Sequence, residues 1–259
     1  MKQRTKNRLY LLLPILSVLT LLAVFTLLSS QEGTLIPTPI EIWKRFWDMM
    51  TIQISKATLP VHVWVSLKRV LTAFVAAILL GVSLGVFLGW SPTFNALASP
   101  VFEILRPIPP IAWIPLVILW FGIGEMSKIF IVFIGSFVPI VINTHSGMNS
   151  IDPLLINAGL VLGANRSQLL VDVALPATVP AILAGIKTAL SGGWMCVLAA
   201  EMIVAKQGVG FLIVRGQEMG DMSQIVVCML VIGIVNVLMS TCLTKLEGVL
   251  CPWQFKKTK

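Results

Sequence analysis

Val70-Leu-Thr-Ala-Phe-Val-Ala-Ala-Ile-Leu-Leu-Gly-Val-Ser-Leu-Gly-Val-Phe-Leu-Gly89 runs twenty residues without a charged side chain. As a helix rising about 1.5 Å per residue it reaches about 30 Å, the thickness of a bilayer's hydrocarbon core. Ile129–Met148, Val179–Ala200 and Ile225–Thr244 are long enough to cross in the same way. A shorter apolar stretch, Ile111–Ile123, follows Arg106-Pro107-Ile108-Pro109-Pro110, whose prolines stop any helix before it. Leu9–Leu28 is a further uncharged stretch, preceded by Lys2, Arg4, Lys6 and Arg8. It is longer than the roughly 7–15-residue core of a signal peptide. Ser29-Ser30-Gln31 is also a poor cleavage site, so it reads as an uncleaved first span.

These stretches predict an all-α integral membrane protein with six transmembrane helices. Composition agrees. Of 259 residues, 57% are hydrophobic and 12% charged, against about 25% charged in a soluble domain. With a mean hydropathy of +0.93 there is too little polar side chain to cover a globule. That excludes a soluble enzyme, a disordered tail and a disulfide-stapled secreted domain. The chain divides into 1–28, a basic N-terminus and first span; 29–69, an external segment; and 70–259, a five-helix core containing a loop at 150–176.

The net charge of +8 sets orientation beside an anionic leaflet and is no sign of a nucleic-acid partner. The basic N-terminus and Lys256, Lys257 and Lys259 place both ends in the cytoplasm. Cys196, Cys228, Cys242 and Cys251 form no CxxC pair, and His62 and His145 stand alone, so neither a metal site nor a catalytic cluster is expected.

Two connections are more than turns. Thr38-Pro39-Ile40-Glu41 reads as a capping box opening a helix at the membrane surface. Ile42, Trp43, Phe46, Trp47, Met49 and Met50 fall on one side of it, opposite Glu41, Lys44, Arg45 and Asp48. The second connection, Ser150 to Ala174, falls on the cytoplasmic side. Asp152-Pro153 starts a helix, Gly163 ends it, and a second helix carries Arg166 through Val173 to Pro176. A helix–glycine–helix element displayed there has the form of a docking surface.

Its residues read Asn157-Ala158-Gly159, three residues, Gly163, nine residues, Val173-Ala174-Leu175-Pro176. The pattern resembles the EAA loop of permease subunits in ATP-binding-cassette importers: Glu-Ala-Ala, three residues, Gly, nine residues, Ile-x-Leu-Pro. Asn157, Gly159 and Val173 depart from it. Arg106-Pro-Ile-Pro-Pro-Ile-Ala-Trp113, Trp120-Phe-Gly-Ile-Gly-Glu125 and Ala199-Ala200-Glu201-Met202 look like the branch that imports nitrate, sulfonates, taurine or bicarbonate. The resemblance runs from about Thr34 onward. It implies a homodimeric permease coupled through Asn157, Ala158, Gly159, Gly163, Val173, Leu175 and Pro176 to two ATPase subunits. It also implies a periplasmic or lipid-anchored solute-binding protein, with ATP and Mg held by the ATPase partners and no cofactor on this chain.

No G-x-x-x-x-G-K-[ST] occurs, since Gly185-Ile186-Lys187-Thr188 lacks the glycine directly before lysine. An ion-coupled secondary transporter shares that absence and stands as the alternative. No duplication between the two halves supports it.

Ionisable groups within spans are functional candidates. Lys187, Trp194 and Glu201 are seven apart and fall within about 40° of one another on a helix, on one stripe with Ser191 and Leu198. Lys187 and Glu201 lie about 21 Å apart along the axis, so each needs its own partner. One reading turns this stripe, with Trp113, toward the translocation pathway. The other has Lys187 snorkelling to the interface and Glu201 closing an external contact. Gly81, Gly85 and Gly89 read as a close helix–helix seam.

Overall fold

In a computed structural model, which describes residues 2–31 and 36–252, five helices open on a side-chain cap, from Thr38, Ser91, Asp152, Asn165 and Asp221. The helices are α1 (Lys2–Ser29), α2 (Pro39–Thr51), α3 (Leu59–Trp90), α4 (Pro92–Leu105), α5 (Ile114–Phe121), α6 (Glu125–Asn149), α7 (Pro153–Val161), α8 (Arg166–Gln168), α9 (Leu175–Val204), α10 (Val209–Met219) and α11 (Met222–Leu250). A 3₁₀ turn, Pro110–Trp113, leads into α5, and a π-helical turn, Leu169–Ala174, joins α8 to α9. Among the described residues an isolated bridge, Ile54 to Ala57, is the only β pairing. Lys256, Lys257 and Lys259 lie outside the described residues.

The main spans are longer than their uncharged stretches. Helix α3 starts at Leu59 rather than Val70, and α6 at Glu125 rather than Ile129. Hydropathy stops at Lys68, Arg69 and Lys128, yet Arg69 and Lys128 stay within their helices, both paired to carboxylates. Pairing removes the cost that an isolated charge would carry there. Ile111–Ile123, expected to form one span, is instead the 3₁₀ turn and α5, joined to α4 at a bend of 86°. Pro107, Pro109 and Pro110 remove the amide hydrogens a continuous helix needs. Among the described residues four helices, α3, α6, the α8–α9 run and α11, are long and apolar enough to cross a membrane, and the bent pair makes five. The expected first span falls in α1.

Helices α3, α6 and α9 form the core. Between apolar helices in lipid, close approach does the work that the hydrophobic effect does in water. Gly81, Gly85 and Gly89 lie against Ile140, Thr144 and Met148 of α6, so α3 and α6 run parallel and the seam is within the subunit. Gly135 and Gly147 of α6 receive Cys196 and Ala181 of α9, which runs the opposite way. A Cβ at Gly85 would stand 2.6 Å from Thr144 Cβ and 2.9 Å from the Val141 carbonyl. Gly85→Val is therefore expected to cost about 1–3 kcal/mol. An unfolding midpoint in detergent equal to that of the unsubstituted chain would contradict this seam.

The α2 capping box is present, with Thr38 Oγ1 accepting from the Glu41 amide and the Glu41 carboxylate accepting from the Thr38 amide at 2.8 Å. Met49 is fully buried, while Trp43 and Trp47 are exposed anchors. Arg45 pairs with Asp221 at 2.7 Å and donates to Gln224 at 2.8 Å, which ties α2 to the start of α11.

Candidate functional site

Two regions carry the chemistry, at opposite ends of α3, α6 and α9. At the first, Asp152 caps α7 by accepting from the Leu154 amide at 2.9 Å, with Pro153 at the first helical position. Gly163 has φ +80°, the left-handed conformation that ends a helix at little cost only for glycine and, less well, asparagine. The Ala164 amide donates to the Gly159 carbonyl and the Gly163 amide to the Leu160 carbonyl, both at 3.0 Å, which is the Schellman pattern. Asn165 and Gln168 then form a reciprocal capping box that restarts the chain as α8. The two helices meet at Gly159, where a Cβ would stand 2.6 Å from Leu169 Cδ2. The expected helix–glycine–helix shape is present, with one addition: the second helix passes through the π-helical turn before Leu175 and Pro176.

This element shows an apolar face. Leu154 is 70% exposed, Val161 88% and Leu162 86%. Asn157 and Ala158 are exposed beside them, and Val173 is half-buried. On a protein surface such a patch marks a contact with another protein or with the membrane.

At the other end lies a polar cluster that sequence reasoning did not assemble. Glu201, 1% exposed, has its carboxylate filled from three sides. Arg69 Nη1 donates at 2.6 Å, the Ser66 hydroxyl at 2.7 and 2.8 Å, and the Gly210 amide at 2.9 Å. Arg69 Nη1 also donates to the Gln207 carbonyl at 2.7 Å. Its Nε and Nη2 form a bidentate pair with Glu125, both at 2.7 Å, and Lys128 donates to Glu125 at 2.8 Å. The turn after α9 wraps Glu201. Gly208, at φ +127°, leaves no room for a Cβ against that carboxylate, and a Cβ at Gly210 would meet the Leu198 carbonyl at 2.6 Å. His62, left without a role by its sequence context, accepts from the Gly208 amide through Nδ1 at 3.0 Å. Its Nε2 therefore carries the proton and donates to the Ile54 carbonyl at 3.0 Å. Helices α3, α6 and α9 and the turn into α10 are thus joined by charge-assisted bonds.

The five residues expected along the pathway separate. Trp194 and Glu201 are buried inside the subunit. Lys187 pairs with Glu247 of α11, a partner that the spacing along α9 alone could not supply. Ser191 is exposed and Trp113 half-buried. The surface stripe of α9 is Ala184, Thr188, Ser191 and Met195, one position round from the expected line.

Apolar helices long enough to cross a membrane several times, with an exposed helix–glycine–helix element at one end, define a multi-pass membrane protein. The chain belongs to the family described as binding-protein-dependent transport system inner membrane component, whose model matches residues 77–254. It is similar to the Taurine transport system permease protein TauC of Escherichia coli (strain K12), 36% identical over 219 residues that cover 84% of this chain and 80% of that one. It is also similar to the Nitrate import permease protein NrtB of Synechocystis sp., 31% identical over 248 residues that cover 94% and 90%. The fold is shared with inward facing conformations of the MetNI methionine ABC transporter, at a TM-score of 0.65 and 21% identity, over 74% of this chain and 95% of that one. The chain is thus a multi-pass inner-membrane permease subunit of an ATP-driven importer, and not itself an enzyme, since in this family a separate subunit hydrolyses ATP.

Proposed function

We propose that this chain works as a homodimer that moves a small anion across the inner membrane. A solute-binding protein delivers the anion on one side, and two ATPase subunits act on the other. The observation that carries the reading is the capped helix–Gly163–helix element with Val161 and Leu162 standing out from it. Asn157, Ala158, Gly159, Gly163, Val173, Leu175 and Pro176 shape or line that element. We take it as the cytoplasmic docking site of the ATPase, which holds ATP and Mg. Both termini then lie in the cytoplasm, and the Arg69 cluster lies at the periplasmic end.

When ATP draws the two ATPase subunits together, each pulls on its docking element, and the rigid α3–α6–α9 core carries the motion to the far end. The anion class follows from the taurine and nitrate permeases that the chain resembles. Ser191 lies on the exposed stripe of α9 and Lys187 borders it; we place both, with Trp113, on the pathway. Trp194 and Glu201 support that wall from inside. Replacing Lys187 by Ala leaves Glu247 without its partner. Uptake is expected to fall about tenfold or more, because the pathway loses its cation while the stranded Glu247 charge also weakens the fold. Lys187→Ala with Glu247→Gln is expected to recover folding but not uptake. Uptake in both variants equal to wild type, in vesicles holding equal protein, would remove Lys187 from the pathway.

The docking reading is tested by capture of the tagged full chain from mild detergent. We expect an ATPase subunit to accompany the wild type and to be lost with Gly163→Arg, whose β-carbon meets nothing within 4 Å but whose backbone is strained at φ +80°. Equal capture by both chains would place the ATPase contact elsewhere.

A further inference from the structure

We propose that Arg69, Lys128 and Lys68 form a binding site for a small oxyanion, and that the Glu125 carboxylate occupies it in the absence of solute. This deepens the importer reading and rests on it. The two inner cations are almost wholly enclosed, with the Arg69 side chain 4% and the Lys128 side chain 6% exposed. The carboxylate between them is not, since the Glu125 side chain is 60% exposed. Glu201, on the other edge of the same guanidinium, is fully enclosed and held by three donors from fixed backbone and side chains. One arm of Arg69 is therefore permanently engaged within the fold, and the other is engaged by a group that water already reaches.

That second arm opens on a cavity of about 510 Å³ lined by Val65, Lys68, Arg69, Thr72, Glu125 and Gln207 among others. Lys68 is exposed at its wall. Three cations, Lys68, Arg69 and Lys128, face two carboxylates, Glu125 and Glu201, which leaves one positive charge for an anion to balance. The Nε–Nη2 edge of a guanidinium presents two parallel donors, and a carboxylate, sulfonate or nitrate offers the matching pair of oxygens. Glu125 already takes that geometry at 2.7 Å to each nitrogen. It also sits at the first position of α6, just after Gly122-Ile123-Gly124, where no atom stands within 4 Å of a β-carbon at either glycine. Open space therefore borders the turn that precedes the resident carboxylate, while Arg69 is held from its other side by Glu201. An arriving anion displaces Glu125 and is held by Arg69, Lys128 and Lys68.

The test uses the purified full chain in detergent at constant ionic strength, titrated with methanesulfonate and followed by its unfolding midpoint. Dimethyl sulfone serves as the uncharged control. Removing the resident competitor with Glu125→Gln is expected to lower the methanesulfonate concentration for half the effect at least about tenfold. Lys68→Gln, on an exposed side chain that leaves the fold intact, is expected to raise it several-fold. Dimethyl sulfone is expected to give no shift. Identical half-effect concentrations in the wild type and Lys68→Gln would overturn the site even if Glu125→Gln proved too unstable to measure. A response to dimethyl sulfone equal to that of methanesulfonate would overturn it too. So would a variant-dependent shift given by phosphatidylglycerol vesicles and not by methanesulfonate, which would assign the cations to a lipid headgroup. Capture of the ATPase by the same preparation separates the two levels. ATPase present with no methanesulfonate effect removes the anion site and leaves the importer reading; both absent removes both.

Discussion

Arg69→Met is expected to destabilise the chain by about 3–5 kcal/mol, because it strands the Glu201 carboxylate in a pocket closed to water. Glu201 is 1% exposed, and its remaining donors, Ser66 Oγ and the Gly210 amide, are neutral. Glu125 loses the same partner but is already wetted, so it contributes little to the loss. The double variant Arg69→Met with Glu201→Gln keeps the hydrogen bonds to residue 201 and removes the buried charge. We expect it to recover most of the stability. Unfolding of the purified single and double variants in detergent measures this. Equal loss in the two would mean that the guanidinium serves by its volume and not by its charge.

The second large effect concerns the docking element. Val161→Asp with Leu162→Asp places two charges on an exposed surface where neither side chain supports the fold. Unfolding is expected to match wild type, while affinity for the ATPase falls at least about thirtyfold, the loss of an interface anchor of about 2 kcal/mol or more. ATP-driven uptake falls with it. Retained ATPase binding in a well-folded double variant would remove Val161 and Leu162 from the interface.

Much of this was legible because it is local. The Asp152-Pro153 start, the Gly163 stop and the second helix from Arg166 sit within one stretch, and capping chemistry acts over three or four residues. The glycines at 81, 85 and 89 share one helix face, and they lie on one seam. The Arg69 cluster was not legible, because its members come together across the fold. Glu125 and Glu201 follow Arg69 by 56 and 132 positions, and no periodicity links them. The same blindness displaced the helix starts. Hydropathy treats Arg69 and Lys128 as charges that end a span, whereas each is paired to a carboxylate inside a longer helix bundle. The usable signal was opposite charge at the same end of neighbouring spans, which also pairs Lys187 with Glu247. The bend between α4 and α5 was half legible. The prolines announced a break, but nothing in the local sequence set the 86° turn that makes the pair depart from a straight span.

We propose that this bundle moves a small anion only when an ATPase works on its docking element. The direct measurement is uptake of labelled taurine or nitrate into proteoliposomes holding the chain with its ATPase subunits. The solute-binding protein is supplied outside and ATP inside. Uptake is expected to require internal ATP and the binding protein, to survive collapse of ion gradients, and to be lost with the Val161→Asp, Leu162→Asp double variant. Uptake without ATP that disappears when the ion gradients are collapsed would contradict the proposal and make the chain an ion-coupled transporter.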